Sequence, residues 1–194
     1  MADDVKLAHP GALGLFGFGF NTILLQFHNC GWMGGSIPLW YGFVWGGAAQ
    51  VIAGIIDARR GDTFGATAFT SYGLFWIGLA LLFSQKQVVA ENYTGIAYAM
   101  LLWGVFTGLM TIGTFKISRV HTFIFASLTV LFMLLAAHFS HSIDLSPKWA
   151  GYEGIVCGAS AVYGATAVIM NAQYGKWILP MGFPKPAPTA KPAK

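Results

Sequence analysis

The chain has 194 residues, of which 56% are hydrophobic and only 9% are charged. A soluble domain of this size could not bury so much apolar surface, so the composition indicates an integral membrane protein. The formal charge of +4 is not gathered into a basic stripe with interleaved stacking aromatics, which argues against a nucleic-acid partner.

Apolar segments long enough to cross about 30 Å of hydrocarbon recur along the chain. There are six, at 11–29, 39–58, 64–84, 95–115, 120–140 and 150–172. None alternates as barrel strands do, so each is predicted to be a helix and the fold an all-α membrane protein. The chain then divides into a polar N-terminal segment (1–10), a six-helix transmembrane domain (11–175) and a Pro- and Lys-rich tail (176–194).

The connections carry signals for helix starts. Asp62 or Thr63 is placed to cap the third helix, and Pro147 leads into the sixth. Each even-numbered helix also carries a GxxxG pair: Gly42 and Gly46, Gly104 and Gly108, Gly154 and Gly158. These pairs favour close helix packing, and their recurrence indicates either three related helical hairpins or chance in a glycine-rich chain.

The distribution of Lys and Arg predicts the topology. Nine of these residues fall on the side that holds the N-terminus, loops 2–3 and 4–5 and the tail, whereas only Lys86 and Lys148 fall on the other side. By the positive-inside rule both termini are cytoplasmic, which in a bacterial cell means a multi-pass protein of the plasma (inner) membrane.

Polar side chains inside the predicted helices are neutral. Lys and Arg are absent from every helix centre, and in their place stand amides and hydroxyls such as Asn21, Thr22, Gln26, Gln50 and Thr129. Some of these groups will bond neighbouring helices, and the others are predicted to line a route for a solute. A lining without fixed cations would hold an anion weakly and let it pass.

The sequence does not indicate an enzyme. It contains no hydrolase, kinase or phosphate-loop signature, and its histidines and cysteines do not have metal-ligand spacing, so no cofactor or metal is expected. His28 and Glu153 are candidates for relaying a proton, and Asp57, which like Glu153 lies near a helix end, is the other carboxylate well placed to do so. The alternative for these groups is a solvated position at the membrane interface.

The start of the first helix resembles a known signature. His9-Pro-Gly-Ala-Leu-Gly-Leu15 is similar to the N-P-A-P-L-G-L motif of the acetate uptake transporter family, also called succinate/acetate:proton symporters. The likeness continues through residues 16–29, 46–54, 61–76 and 157–163, and so covers nearly the whole chain apart from its tails.

The resemblance implies a six-helix protomer in a hexameric ring, with a pathway for acetate, and sometimes succinate, in each protomer. It places an apolar constriction at Phe18, Tyr72 and Leu128. The pathway residues predicted around that constriction are Pro10, Leu13, Gly14, Leu15, Asn21, Thr22, Gln50 and Thr129.

Three residues depart from the family signature: His9 replaces Asn, Gly11 replaces Ala, and Ala12 replaces the second Pro. The lost proline should relax the start of the helix, and His9 should make entry sensitive to pH. The family includes both channel-like and proton-coupled descriptions, and the sequence leaves both open. A membrane sensor or assembly protein that keeps the fold without transporting is the alternative function.

Overall fold

In the computed structural model, which describes residues 7–183, every regular element is a helix. We label the six long helices in chain order: α1 Gly11–Asn29, α2 Ser36–Arg59, α3 Thr63–Ser84, α4 Tyr93–Thr114, α5 Arg119–Ser140 and α6 Pro147–Tyr174. The prediction of an all-helical fold is confirmed, and each predicted segment overlaps one of these helices. A short helix, Lys86–Glu91, lies between α3 and α4 and was not predicted.

Five of these helices, α2 to α6, are long and apolar enough to cross a membrane. The first helix differs because its 19 residues include glycines, amides and a histidine, and ten of them are buried among the other helices. A helix that is surrounded by protein needs less apolar surface than one facing lipid. Because α1 lies among the other helices, its sequence can contain these polar groups.

The helices pack mainly in the pairs α1–α6, α2–α3 and α4–α5, and α5 also packs on α6. Glycines form the crossing points of two pairs. A Cβ on Gly158 would lie 2.7 Å from the carbonyl oxygen of Gly19, and one on Gly73 would lie 2.8 Å from that of Gly47. The backbones therefore touch, as expected for small residues between membrane helices. The pairs α2–α3 and α4–α5 each join an even-numbered helix to the next odd-numbered one.

Side-chain caps fix where α3 and α5 begin. Asp62 caps α3 because its Oδ1 accepts the backbone N–H of Gly65 at 2.9 Å. Ser118 does the same for α5, accepting from the N–H of His121 at 3.2 Å. Of the two capping residues predicted for α3, the structure selects Asp62 over Thr63.

The middle of α2 is a π-helical segment, Val44–Ala49. Gly46 lies against the side chain of Asn21, so α1 passes close to α2 at this point. Gln50 stabilises the segment by donating from Nε2 to the carbonyl oxygen of Gly46 at 2.6 Å. Such segments often occur at functional sites, and here the segment brings α2 against the most polar part of α1.

The residues after α6 form an ordered segment, 176–183, which we call the C-terminal strap. Asn171 holds it: Oδ1 accepts from the N–H groups of Ile178 and Leu179 at 2.8 and 2.9 Å, and Nδ2 donates to the carbonyl oxygen of Leu179 at 2.9 Å. The backbone N–H of Arg119, at the start of α5, donates to the carbonyl oxygen of Gly182 at 2.9 Å. The rest of the predicted tail, 184–194, and residues 1–6 lie outside the described residues.

Candidate functional site

A wide cavity of about 610 Å³ opens at the end of the bundle that carries the N-terminus and the C-terminal strap. Its volume lies within the range of small-molecule sites, about 300 to 1,000 Å³. Charged and titratable groups line the outer part: His9, Asp57, Asp62, His121 and Lys176. Apolar and amide groups line the inner part, including Leu15, Ala68, Ile124 and Gln50.

A second, narrow cavity of about 60 Å³ lies toward the opposite end of the bundle. Its walls are mostly apolar and include Leu79, Met100 and Phe132. Thr22, Gln26 and Asn29 of α1 add polar groups, in order toward the far end of that helix. The cavity has room for only a few waters.

Three residues line both cavities: Phe18 of α1, Tyr72 of α3 and Leu128 of α5. All three side chains are buried, with exposed fractions of 4–6%. The structure therefore places the residues of the predicted constriction together, at the boundary between a wide cavity at one end of the bundle and a narrow cavity at the other.

The boundary presents carbon rather than polar atoms. The hydroxyl of Tyr72 pairs with Thr107 Oγ1 at 2.9 Å, and Thr107 in turn donates to the carbonyl oxygen of Trp103 at 2.7 Å. The Tyr72 ring lies 6.1 Å from the ring of Phe18, measured between centroids. Because Thr107 occupies the hydroxyl, Tyr72 offers its ring to the cavities.

The predicted pathway residues do not all lie at these cavities. Leu15 and Gln50 line the wide cavity, and Thr22 lines the narrow one. Pro10 and Gly14 are buried, and a Cβ on Gly14 would overlap the ring of Phe69.

Like Pro10 and Gly14, the other three pathway residues line neither cavity. Leu13 is 41% exposed on the outer surface. Asn21 is buried against the π-helical segment, and Thr129 donates to the carbonyl oxygen of Phe125 at 2.8 Å.

Two buried polar atoms beside the constriction have no hydrogen-bond partner within residues 7–183: Gln50 Oε1 on the wide side and Thr22 Oγ1 on the narrow side. Buried polar groups without partners are costly, so they commonly mark places where water or a ligand supplies the missing bond. Gln50 Oε1 can accept the O–H of a neutral acid. The hydroxyl of Thr22 can donate to a carboxylate.

The predicted proton-relay residues lie away from both cavities. His28 is exposed, and its Nδ1 lies 3.1 Å from the carbonyl oxygen of Met33. Glu153 is partly buried in α6, and its Oε2 has no hydrogen-bond partner. The titratable side chains that do line the wide cavity include Asp57 and His121. Asp57, for which the sequence left a proton relay and a solvated end cap both open, is 1% exposed and lies against Gly65 of α3.

His9 and Gly11, two of the departures from the family signature, are in contact. The backbone N–H of Gly11 donates to His9 Nδ1 at 3.0 Å, so the imidazole caps α1 as an asparagine side chain could. A Cβ on residue 11 would lie 2.6 Å from His9 Cε1. A side chain at residue 11 would therefore push the imidazole out of this position.

This contact makes the start of α1 sensitive to acid. Burial, and then the Arg60 guanidinium, lower the pKa of His9, while Asp62 acts in the opposite direction. Protonation at Nδ1 would remove the acceptor for Gly11. Because the folded pKa is the lower one, the unfolded chain binds the proton first, and stability falls as pH drops below about 6.5.

We expect Gly11→Ala to destabilise the protein by about 1 kcal/mol, because the added methyl displaces the imidazole and breaks its hydrogen bond. In a His9→Asn background the same substitution should cost much less, since the smaller amide leaves space. Thermal unfolding of the two single variants and the double variant in detergent measures this coupling. Purely additive changes in melting temperature would contradict the proposed fit.

The chain matches the model of the GPR1/FUN34/yaaH family over residues 2–185. It is 46% identical to the succinate-acetate/proton symporter SatP of Escherichia coli K12 over 183 residues, which cover 92% of this chain and 97% of that protein. An uncharacterised protein of the archaeon Methanothermobacter thermautotrophicus is 43% identical over 186 residues, covering 90% of this chain and 91% of that protein.

A solved structure described as the bacterial acetate channel SatP superposes with a TM-score of 0.86 at 46% identity, covering 91% of this chain and all of that one. The similarity in sequence and the similarity in fold thus extend over the same helices that enclose the two cavities. The chain belongs to the GPR1/FUN34/yaaH family.

Proposed function

We propose that this protein transports acetate across a membrane, through a pathway that joins the wide cavity to the narrow one within each protomer. The observation that carries the proposal is the position of Phe18, Tyr72 and Leu128, which line both cavities. The similar proteins named as an acetate symporter and an acetate channel support the choice of solute. Succinate, which the name of the Escherichia coli relative also mentions, is a second candidate solute.

An apolar boundary between two wetted cavities can act as a gate. Water is excluded from a narrow ring of Phe, Tyr and Leu side chains, so an ion must lose its hydration shell, at a large free-energy cost, to cross the ring. A small carboxylate has an apolar methyl group as well as a polar end. The carboxylate can therefore enter the ring while it keeps part of its hydration shell. An inorganic anion has no apolar part and is excluded.

The polar groups on the two sides of the constriction also support a transport pathway. Gln50 and Thr22 are less than 3% exposed, lie on opposite sides of the constriction and each keep one atom without a partner. No Lys or Arg side chain lines the inner part of the wide cavity among residues 7–183. A solute would be bound weakly on both sides, which favours passage over retention.

The arrangement in the membrane is part of the proposal. We propose six spans, with α1 as the sixth crossing segment within the bundle, and both termini on the cytoplasmic side of the plasma membrane. The excess of Lys and Arg on the side of the wide cavity supports this orientation. A homo-hexamer is the assembly that the family resemblance implies.

Flux through purified protein tests the function. Proteoliposomes should exchange labelled acetate faster than empty liposomes at pH about 8, where little of the solute is the neutral acid that crosses lipid unaided. An imposed proton gradient should then be applied. Uphill accumulation of acetate would identify a symporter, and equilibration without accumulation a channel. If labelled acetate exchanges no faster than in empty liposomes, the transport proposal is wrong and a sensor that keeps the fold is favoured.

A further inference from the structure

Asp57 is a buried carboxylate in the wall of the wide cavity. It lies in the last turn of α2 and is 1% exposed, and its Oδ1 has no hydrogen-bond partner among the described residues. The nearest cation, Arg60 Nη1, lies 3.6 Å from that oxygen, and the Arg60 side chain is itself partly exposed. Burying a carboxylate with a single long ion pair lowers the stability of the fold, which points to a functional role for Asp57.

The groups that face Asp57 come from several elements around the cavity. They are Arg60 after α2, Asp62 at the start of α3, His9 before α1, His121 on α5 and Lys176 in the C-terminal strap. Asp57 and Asp62 both lie against Gly65, since a Cβ there would overlap Asp57 Oδ2 and lie 3.1 Å from Asp62 Oδ2. Two carboxylates this close repel each other when both are ionised, and a proton on one of them removes the repulsion.

Of the pair, Asp57 is the member that is free to bind a proton. Asp62 Oδ1 is engaged as the cap of α3. His121 is also engaged, because its Nδ1 lies 2.8 Å from Ser118 Oγ. Glu153 has an oxygen without a partner but does not line the cavity.

We propose that Asp57 is the proton-binding residue of the transport pathway. This inference rests on the proposed function. Acetic acid that reaches the wide cavity transfers its proton to the Asp57 carboxylate: the O–H bond of the acid breaks, an O–H bond forms on Asp57, and acetate leaves through the mouth of the cavity. Water at the mouth then takes the proton from Asp57, and the steps run in reverse for outward movement.

The proposal predicts that the charge of Asp57 controls the passage of an anion. Trifluoroacetate is a suitable probe because it resembles acetate but stays ionised at every pH used. Any pH dependence of its exchange therefore belongs to the protein. With Asp57 ionised the anion is repelled, so exchange in wild-type proteoliposomes should rise about tenfold between pH about 7.5 and pH about 5.5. Fluorine NMR of the inside and outside pools measures the rate.

In the Asp57→Asn variant, the exchange should be independent of pH over this range. Asp144→Asn is the matched control, because it removes an exposed carboxylate in the loop between α5 and α6 and should keep the wild-type profile. Glu153→Gln should also keep it. The assignment would be overturned if Asp57→Asn kept the wild-type dependence of exchange on pH. It would also be overturned if Glu153→Gln were the one variant whose exchange no longer depended on pH.

Infrared spectroscopy provides a readout that does not depend on flux. Between pH about 7.5 and pH about 5.5 the carboxylic acid C=O band should grow more in the wild-type protein than in Asp57→Asn, by the contribution of one carboxyl group, because Glu153 and the other carboxyl groups remain in the variant. If Asp57→Asn does not fold, Asp57→Glu should shift both the band and the flux profile, and an unchanged band and profile would refute the proposal. A wild-type protein that exchanges no labelled acetate would contradict the proposed function, while the infrared titration would still decide whether Asp57 binds the proton.

Discussion

Replacing Phe18 by alanine is expected to raise the exchange of four-carbon monocarboxylates relative to acetate by about tenfold, because a pocket discriminates each added methylene by about 1 to 3 kcal/mol. The ring of Phe18 forms part of the boundary between the two cavities. Its removal leaves Tyr72 and Leu128 facing a larger opening. The measurement is the exchange rate of labelled butyrate and of labelled acetate in proteoliposomes at equal protein density.

The same helix offers a matched control. Phe20 is 39% exposed and stacks on Phe16 at 5.4 Å between ring centroids, on the outside of the bundle. Phe20→Ala removes the same ring without touching either cavity and should leave the ratio of butyrate to acetate unchanged. Leu128→Ala should change the ratio in the same direction as Phe18→Ala, by a smaller factor. Equal ratios in the Phe18 and Phe20 variants would show that Phe18 does not limit the pathway.

The parts of the fold that depend on local sequence could be predicted. The helix positions follow from runs of apolar residues that are long enough to span a bilayer. The cap of α3 follows from Asp62, a short acidic side chain before Thr63. Residues 18, 72 and 128 were identified by family resemblance rather than by periodicity. Their meeting at one boundary depends on three helices packing together, which no single segment encodes.

The features that were missed depend on contacts between distant segments. The π-helical segment Val44–Ala49 forms where Gly46 meets Asn21 of another helix, and its own sequence is compatible with an ordinary helix. The C-terminal strap is ordered because Asn171 satisfies three of its backbone groups. For Asp57 the sequence left a proton relay and a solvated end cap both open, and its burial depends on packing against Gly65 of α3.

Helix α1 approaches α6 most closely next to Phe18. Phe18 precedes Gly19, whose carbonyl oxygen would lie 2.7 Å from a Cβ on Gly158. The backbone beside the Phe18 ring is therefore in direct contact with the backbone of α6. Packing between membrane helices has no hydrophobic driving force of its own, so such close contacts supply much of the stability.

We therefore expect Gly158→Val to destabilise the protein by about 3 kcal/mol or more, because overpacking a crossing point forces two backbones apart. Its Cβ would lie 2.7 Å from the Gly19 carbonyl oxygen and 2.7 Å from Ile23 Cγ1, and a helix backbone cannot move aside as a flexible side chain can. Gly78→Val is the matched control, since nothing lies within 4 Å of a Cβ at that position of α3. The melting temperatures of the two variants in detergent measure the difference. If both variants melt near the wild-type temperature, close backbone contact at the crossing of α1 and α6 does not contribute to the stability of the protein.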